Sequence, residues 1–353
     1  MMATTTIRKE TKRAAPPTNL IVSAILAVIG IAAWIYQLSA GMRVTGLGQQ
    51  VVWGLYIAGF FTAVGTGAGL LALAGINEFL PESNPADRRR ELSLALASFI
   101  VGGVLIVMDV GSPLQIWRII TAARFTSMMT WDFWLLAAGG LITLIYLAQA
   151  RRVGAHRGMG VLAILAALAV VVVEGWMMAV LAARPMWTGG LTVFSFLLSA
   201  IIAGLGLGLL TLEGKTRLRG WLGMALGANL VLVLAEVLTG LLAGGDETLL
   251  LLTGSAAPAF WIHLVAGLIL PLGLIIAGAS LPLAGVLAVV GVLAEKVWML
   301  AAGQAFPWLE LPVGRYAPSW VEFVALIGTA GLGVFLYLII EQVASAEKGS
   351  ETV

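Results

Sequence analysis

Three features of this 353-residue sequence predict an all-α polytopic membrane protein of about ten transmembrane helices. Hydrophobic residues make up 60% of the chain and charged ones only 11%, and the mean hydropathy is +1.01. Apolar runs repeatedly exceed the roughly 18 to 20 residues that a spanning helix needs. None shows the alternating pattern, about ten residues long, of an outer-membrane strand. Lipid is therefore the main solvent of this protein, and the soluble globular classes are excluded.

The runs place spans near residues 19–40, 51–79, 91–110, 129–149, 158–182, 189–212, 220–243, 259–278, 282–302 and 319–342. The first follows the basic segment "IRKETKRAAPP". Its apolar run is too long for a signal-peptide core and no cleavage site is evident, so it reads as a retained helix. Residues 1–18 then form a basic tail, 19–343 a single transmembrane domain and 344–353 a second tail.

Charge fixes the orientation expected of these spans. With the N-terminus inside, the inner segments carry Arg8, Lys9, Lys12, Arg13, Arg88, Arg89, Arg90, Arg151, Arg152, Arg157, Lys215, Arg217, Arg219 and Lys348. The outer loops carry only Arg43, Arg118, Arg124, Arg184 and Arg315, and Lys296 lies within a span. By the positive-inside rule both termini are cytoplasmic. The net charge of +2 is a topology signal and gives no indication of a nucleic-acid partner.

Redox chemistry is bounded by what the sequence lacks. It has no cysteine, so it holds no iron–sulfur cluster, zinc–thiolate site or disulfide of its own. Its two histidines, His156 in a basic loop and His263 near the start of the eighth span, do not suit haem held between paired membrane histidines. If the protein handles electrons, another subunit brings the metal.

The ionisable residues within spans gather toward the outer side. Asp109 ends the third span, Asp132 opens the fourth, and Glu174 and Glu236 lie in the outer halves of the fifth and seventh. His263, the adjacent pair Glu295 and Lys296, and Glu322 follow in the last three. The inner half has chiefly Glu78, Glu213 and Glu341 at helix ends, where water is within reach. Plain structural roles compete for several of these. "PSWVE" is a capping box joining Ser319 to Glu322, and Asp132 is close enough to a helix start to complement its dipole. Glu295 and Lys296 are about 100° apart on a helix, a poor mutual pair, so each is expected to meet a different helix. His263 alone is more often an interior hydrogen-bonded histidine than a ligand. For Asp109, Glu174 and Glu236 the default is a functional site or proton relay, because a carboxyl in apolar surroundings is expensive to keep.

The sequence also carries an internal echo. "WGLYIAGFFTAVGTGAGLLAL" and "TGGLTVFSFLLSAIIAGLGLGLL" share a Gly-Leu start, a phenylalanine six residues on, and the small-residue pairs Gly65/Gly69 and Gly204/Gly208. "LIVMDVG" then parallels "LVLAEVLTG", and "VVEGWMM" parallels "LAEKVWML". Two four-helix repeats of equal orientation are expected over residues 51–182 and 189–302, flanked by the first and last helices. The GxxxG pairs imply close helix packing, and neither has the strand context of a nucleotide fingerprint.

"WIYQLSAGMRVTGLGQQVVWGLYIAGFFTAVGTGAG", then "DVGSPLQIWRI", "SMMTWDFW", "EKVWMLAAGQ" and "YAPSWVEF", make the sequence resemble the NrfD/PsrC family of quinone-interacting membrane subunits. The ten-span layout is closer to the branch in hydrogenase membrane subunits and alternative complex III than to eight-helix polysulfide reductase anchors. The resemblance implies a haem-free subunit of the prokaryotic cytoplasmic membrane. It would bind menaquinone or ubiquinone near the outer face and exchange electrons with an extrinsic iron–sulfur subunit, itself joined to a molybdopterin enzyme or multihaem cytochrome. The family's aspartate before Gly-x-Pro maps to Asp109 and its helix-start tyrosine to Tyr56. Ser112 stands where the family commonly has arginine, so the pocket is only partly matched. Trp53, Tyr56, Asp109, Arg118, Asp132 and His263 are the expected quinone contacts, with Asp109, Glu174 and Glu236 handling protons.

The residues alone also admit a secondary transporter with a parallel repeat, or a passive anchor whose outer acids only contact partners. Against transport, the acids favour one face and no span reads as clearly broken, although Pro271 and Pro282 flank a helix junction. Thr62, Thr66, Asn77, Glu78, Ser195, Ser199 and Asn229 are the residues from which an inward proton route would be built.

Overall fold

Helix ends in this protein are set by local chemistry that hydropathy does not register, and the third helix shows it best. The Asn84 side chain accepts from the Ala86 backbone N–H at 2.9 Å, Pro85 occupies the first turn and Asp87 follows it. That cap starts the helix at Pro85, six residues before the apolar run, and carries Arg88, Arg89 and Arg90 into its first turns. The computed structural model describes residues 17–81, 84–150, 156–212, 215–305 and 314–346. Arg8, Lys9, Lys12, Arg13, Arg151, Arg152, Glu213 and Lys348, named above as topology markers or helix-end acids, lie outside the described residues.

Among the described residues ten helices are long and apolar enough to cross a membrane, as the sequence predicts. They are α1 (Thr18–Ala40), α2 (Leu55–Asn77), α3 (Pro85–Asp109), α4 (Met128–Gln149) and α5 (Arg157–Ala179), then α6 (Gly190–Thr211), α7 (Lys215–Leu242), α8 (Ala257–Ala277), α9 (Leu281–Ala305) and α10 (Trp320–Val343). Among the described residues no strand occurs. The protein is a multi-pass membrane protein. Both described ends fall on one side of the bundle, here the terminal face. The loops that precede α2, α4, α6, α8 and α10 lie on the opposite face.

The α8 span departs from regularity. Residues Ile262–Ile269 form a π-helical stretch between the α-helical pieces Ala257–Trp261 and Leu270–Ala277. Pro271 lies just beyond it, where its missing N–H loosens the regular ladder. No span reads as clearly broken from sequence, and this one is continuous but wound differently along eight of its residues.

Small residues bring the helices together. A Cβ at Gly69 would lie 2.1 Å from the Ala200 carbonyl oxygen, and one at Gly204 2.8 Å from the Gly69 carbonyl carbon, so α2 and α6 cross at backbone contact. Gly30 meets Gly328 where α1 packs on α10, and Gly267 meets Gly291 where α8 packs on α9. In lipid, apolar burial gives helices little reason to associate, so this close packing is what holds them. α2 packs on α3, α5 and α6, and α6 packs in addition on α5, α7 and α9.

The terminal face is more tightly wired than expected. Glu78 is buried and does not reach water. It pairs with Arg88, accepts from Tyr146 Oη at 2.7 Å and accepts from the His156 backbone N–H at 2.8 Å. Asn77 donates to Glu91 at 2.6 Å and accepts from Arg217 at 2.9 Å. Glu341 pairs with Arg89 at 3.2 Å. Several basic residues that mark topology are thus also internal ion-pair partners, because the helix start at Pro85 places them between neighbours.

Candidate functional site

Near the opposite face, α1, α2, α3 and α10 bring a polar cluster into the apolar bundle. Tyr56, in the first turn of α2, is 1% exposed, and its hydroxyl donates to Gln37 Oε1 at 2.6 Å. Gln37, equally buried on α1, donates in turn to the Met108 carbonyl at 3.2 Å. Met108 immediately precedes Asp109, the last residue of α3. Asp109 Oδ1 is enclosed and has no hydrogen-bond partner, although the carboxyl interacts electrostatically with Tyr56, Tyr316 and Glu322.

Glu322 closes the far side of this cluster. Its Oε2 accepts from the Ser319 N–H at 2.8 Å, and its own N–H donates to Ser319 Oγ at 3.3 Å, so the expected capping box is formed. The carboxylate does more than cap. It accepts from the Gly46 N–H at 2.6 Å and from Tyr316 Oη at 2.7 Å, while Tyr316 Oη accepts from the Leu55 N–H at 2.6 Å. Burial, and then the Glu322 charge, push the Tyr316 phenol well above its ordinary range, so it remains a donor. Trp53 stands beside α9: its ring stacks on Trp187 with centroids 6.0 Å apart, and its backbone is bracketed by Gln304.

A second constellation runs across the bundle, deeper from that face. Glu295 and Lys296 do pair, with Lys296 Nζ 2.9 Å from Glu295 Oε1, contrary to the expectation from helical spacing. Both side chains turn toward α6, whose Ser199 hydroxyl lies 2.8 Å from Glu295 and 3.1 Å from Lys296, and that shared partner overrides the angle between them. Ser195 adds a 2.5 Å bond to Glu295, and the Lys296 ammonium lies 3.7 Å from the centre of the Phe196 ring. His263, in the π-helical stretch, accepts from Trp298 Nε1 at 3.1 Å and presents Nε2 to Glu295 at 3.7 Å. Its Nε2 has no hydrogen-bond partner.

Glu174 extends the row to α5. It is 0% exposed, and neither carboxyl oxygen has a hydrogen-bond partner. Its electrostatic neighbours are Asp132 and Lys296, and Asp132 Oδ1 is likewise enclosed without a hydrogen bond. At the other end, Glu236 lines a 510 Å³ cavity with Glu247, Phe260 and Trp298 and interacts electrostatically with Glu295.

The residues singled out from sequence therefore divide. Tyr56 and Asp109 share one cluster; Asp132, Glu174, His263 and Glu236 belong to the row. Arg118 joins neither: it is exposed on a short helix, bonded to Gln115 at 2.9 Å. Sequence reasoning passed over Gln37, Tyr316 and Gln304. Each is a polar residue in an otherwise apolar or aromatic stretch, which was the available signal.

A ten-helix membrane bundle with a buried carboxyl, tyrosine and amide at one face defines a class of integral membrane subunit rather than a soluble enzyme. The sequence matches the family described as "Polysulphide reductase, NrfD" over residues 43–308, and the chain belongs to the NrfD family. It is 34% identical over 211 residues to a putative dimethyl sulfoxide reductase membrane subunit of Halobacterium salinarum, a match covering 53% of this protein and 48% of that one. Over 90% of its own length and 91% of the relative's, it is 26% identical to an Hdr-like menaquinol oxidoreductase integral membrane subunit of Archaeoglobus fulgidus. A polysulfide reductase component of Wolinella succinogenes is 24% identical over 73% of this protein and 96% of its own length. The match thus spans about half the length of the first of these relatives and more than nine-tenths of the other two.

Proposed function

We propose that this protein is the quinone-binding membrane subunit of a multi-subunit respiratory oxidoreductase. In this reading it exchanges electrons between the membrane quinone pool and an extrinsic iron–sulfur subunit, which serves a catalytic subunit of the molybdopterin or multihaem type. The observation that carries the reading is the enclosed Asp109 Oδ1 with no hydrogen-bond partner, beside the Tyr56–Gln37 pair. A buried acceptor without a donor is costly, and a hydroxyl from a bound quinol satisfies it. Family membership and the names of the relatives support the same class.

When bound, a quinol supplies two electrons and two protons. Asp109 accepts from a ring hydroxyl and holds a proton there. Tyr56, its proton donated to Gln37, offers its phenol oxygen as an acceptor to a ring hydroxyl, and Glu322 fixes Tyr316 and the turn at Gly46 around them. In the orientation expected from basic-residue bias, this face is outside and the termini are in the cytoplasm of a prokaryotic cell.

The row from Asp132 through Glu174, Lys296 and Glu295 to His263 has a separate role in this account: it stores and moves protons, giving the electron transfer a coupled proton step. Thr62 and Thr66 contribute little to such a route, since their hydroxyls bond back to Ala58 and Thr62 carbonyls at 2.8 and 2.6 Å. Quinol turnover by the assembled complex tests the main reading. Asp109→Asn is expected to lower it at least tenfold with the complex intact, and unchanged turnover would remove Asp109 from the site. In reconstituted vesicles, Lys296→Met is expected to reduce proton uptake per electron while leaving inhibitor affinity alone.

A further inference from the structure

A 560 Å³ cleft opens between two groups of helices on the side of the bundle that faces lipid. α10 packs on α1 and α3, while α9 packs on α2, α6 and α8, and the cleft lies between these groups. Its rim residues Leu210, Val290 and Val334 are 37%, 44% and 49% exposed, so it is open sideways to the bilayer. From the terminal-face ends of α6 and α10, at Thr211 and Leu338, it runs toward the opposite face and ends at Gly59, Leu105 and Leu326.

Those three end residues identify what lies beyond. Gly59 is three residues from Tyr56 on α2, Leu105 four residues from Asp109 on α3, and Leu326 four residues from Glu322 on α10. Each stands about one helical turn, ~5 Å, beneath a member of the polar cluster. The cleft therefore leads to the underside of the candidate head-group site along all three helices at once. Gly59 is small for a reason: a Cβ there would lie 2.7 Å from Leu326 Cδ1 and 3.1 Å from Leu105 Cδ1. Two leucine side chains close over it, a barrier that rotamer changes suffice to move.

The lining has no need of a polar occupant. Thr62, Thr66, Thr211 and Thr329 turn their hydroxyls onto carbonyls of their own helices, at 2.6 to 3.2 Å. With these four hydroxyls satisfied and most of the remaining lining aliphatic, the cavity suits a hydrocarbon tail.

We infer that this cleft is the lateral entrance and tail site of the isoprenoid quinone, whose head group reaches the Asp109–Tyr56 cluster past the Leu105–Leu326 threshold. The inference rests on the quinone reading above. It adds a requirement that reading does not make: affinity depends on the tail, through residues remote from the head group.

Two variants narrow the mouth from the lipid-exposed side, where bulk is tolerated by the fold: Val290→Trp and Ala330→Trp. In the purified complex, dissociation constants are measured for a long-chain isoprenoid quinone and for its tail-less analogue, by displacement of a fluorescent quinol-site inhibitor. Each tryptophan is expected to weaken the long-chain quinone about tenfold or more and to leave the analogue unchanged, which also shows the variant folded. Asp109→Asn is expected to weaken both. If the tryptophans weaken neither ligand, or both equally, the cleft is not the tail site; a phospholipid acyl tail retained there in the wild type is the occupant such a result would indicate. If the tryptophans are selective for the long-chain ligand but Asp109→Asn is silent, the cleft stands and the head-group assignment fails. Absence of saturable binding in the wild type would overturn both.

Discussion

Tyr56, Gln37 and Asp109 show what single residues contribute here. Deleting the Tyr56 hydroxyl frees Gln37 and removes an acceptor oxygen, so Tyr56→Phe is expected to weaken quinol-site inhibitor binding about fivefold, the worth of roughly 1 kcal/mol for one net hydrogen bond; an inhibitor titration reads this directly. Lys296 makes the larger claim on stability. Lys296→Met leaves Glu295 buried with only hydroxyl and imidazole neighbours, and removing one member of a buried pair costs about 3–5 kcal/mol. Denaturant unfolding of the detergent-solubilised complex is expected to show that loss, and Lys296→Met with Glu295→Gln to recover most of it. Asp109, Glu174 and His263 are legible in the sequence as costly residues in apolar runs. Their partners are not, because contact between Glu295, Ser199 and His263 depends on three helices whose rotations no single run of sequence encodes. For the same reason helical angle alone misjudges the Glu295–Lys296 pair.

At the scale of the helix, apolar length reveals all ten spans, while their ends follow caps and charges. The Asn84–Pro85–Asp87 start is written in the sequence, but it sits among arginines that read first as loop. The π-helical stretch of α8 has no local signal beyond Pro271. It occurs together with the Gly267–Gly291 contact, where α8 lies against α9 at backbone distance. Glycine contacts of this kind give a direct prediction. A Cβ at Gly328 would lie 2.2 Å from the Gly30 Cα, with backbone on every near side. Gly328→Leu is therefore expected to push α10 from α1 and cost about 1–3 kcal/mol as overpacking, read as a lowered thermal midpoint. The same change at Gly140, where an added Cβ meets nothing within 4 Å, is expected to be nearly silent.

For the whole molecule, the architecture separates tasks by depth. The terminal face is fastened by ion pairs and hydrogen bonds among α2, α3, α7 and α10, the middle is closed by glycine contacts, and toward the opposite face lie the enclosed carboxyl oxygens of Asp109, Asp132 and Glu174 that have no hydrogen-bond partner. That distribution is what a subunit needs if a lipid-borne ligand is to enter from the side and meet a redox partner at one surface. Composition and the Asp-Val-Gly-Ser-Pro and Trp-Gly-Leu-Tyr segments lead to the class of protein, whereas the cleft between α9 and α10 arises from how the helices are arranged in space and is invisible in the sequence. The most direct measurement is a titration of the purified complex with a fluorescent quinol-site inhibitor, wild type beside Asp109→Asn. Saturable quenching in the wild type, weakened at least tenfold by the substitution, is the predicted result; equal affinity in both proteins, or no saturable quenching in a folded wild-type complex, would contradict a quinone site at the end of α3.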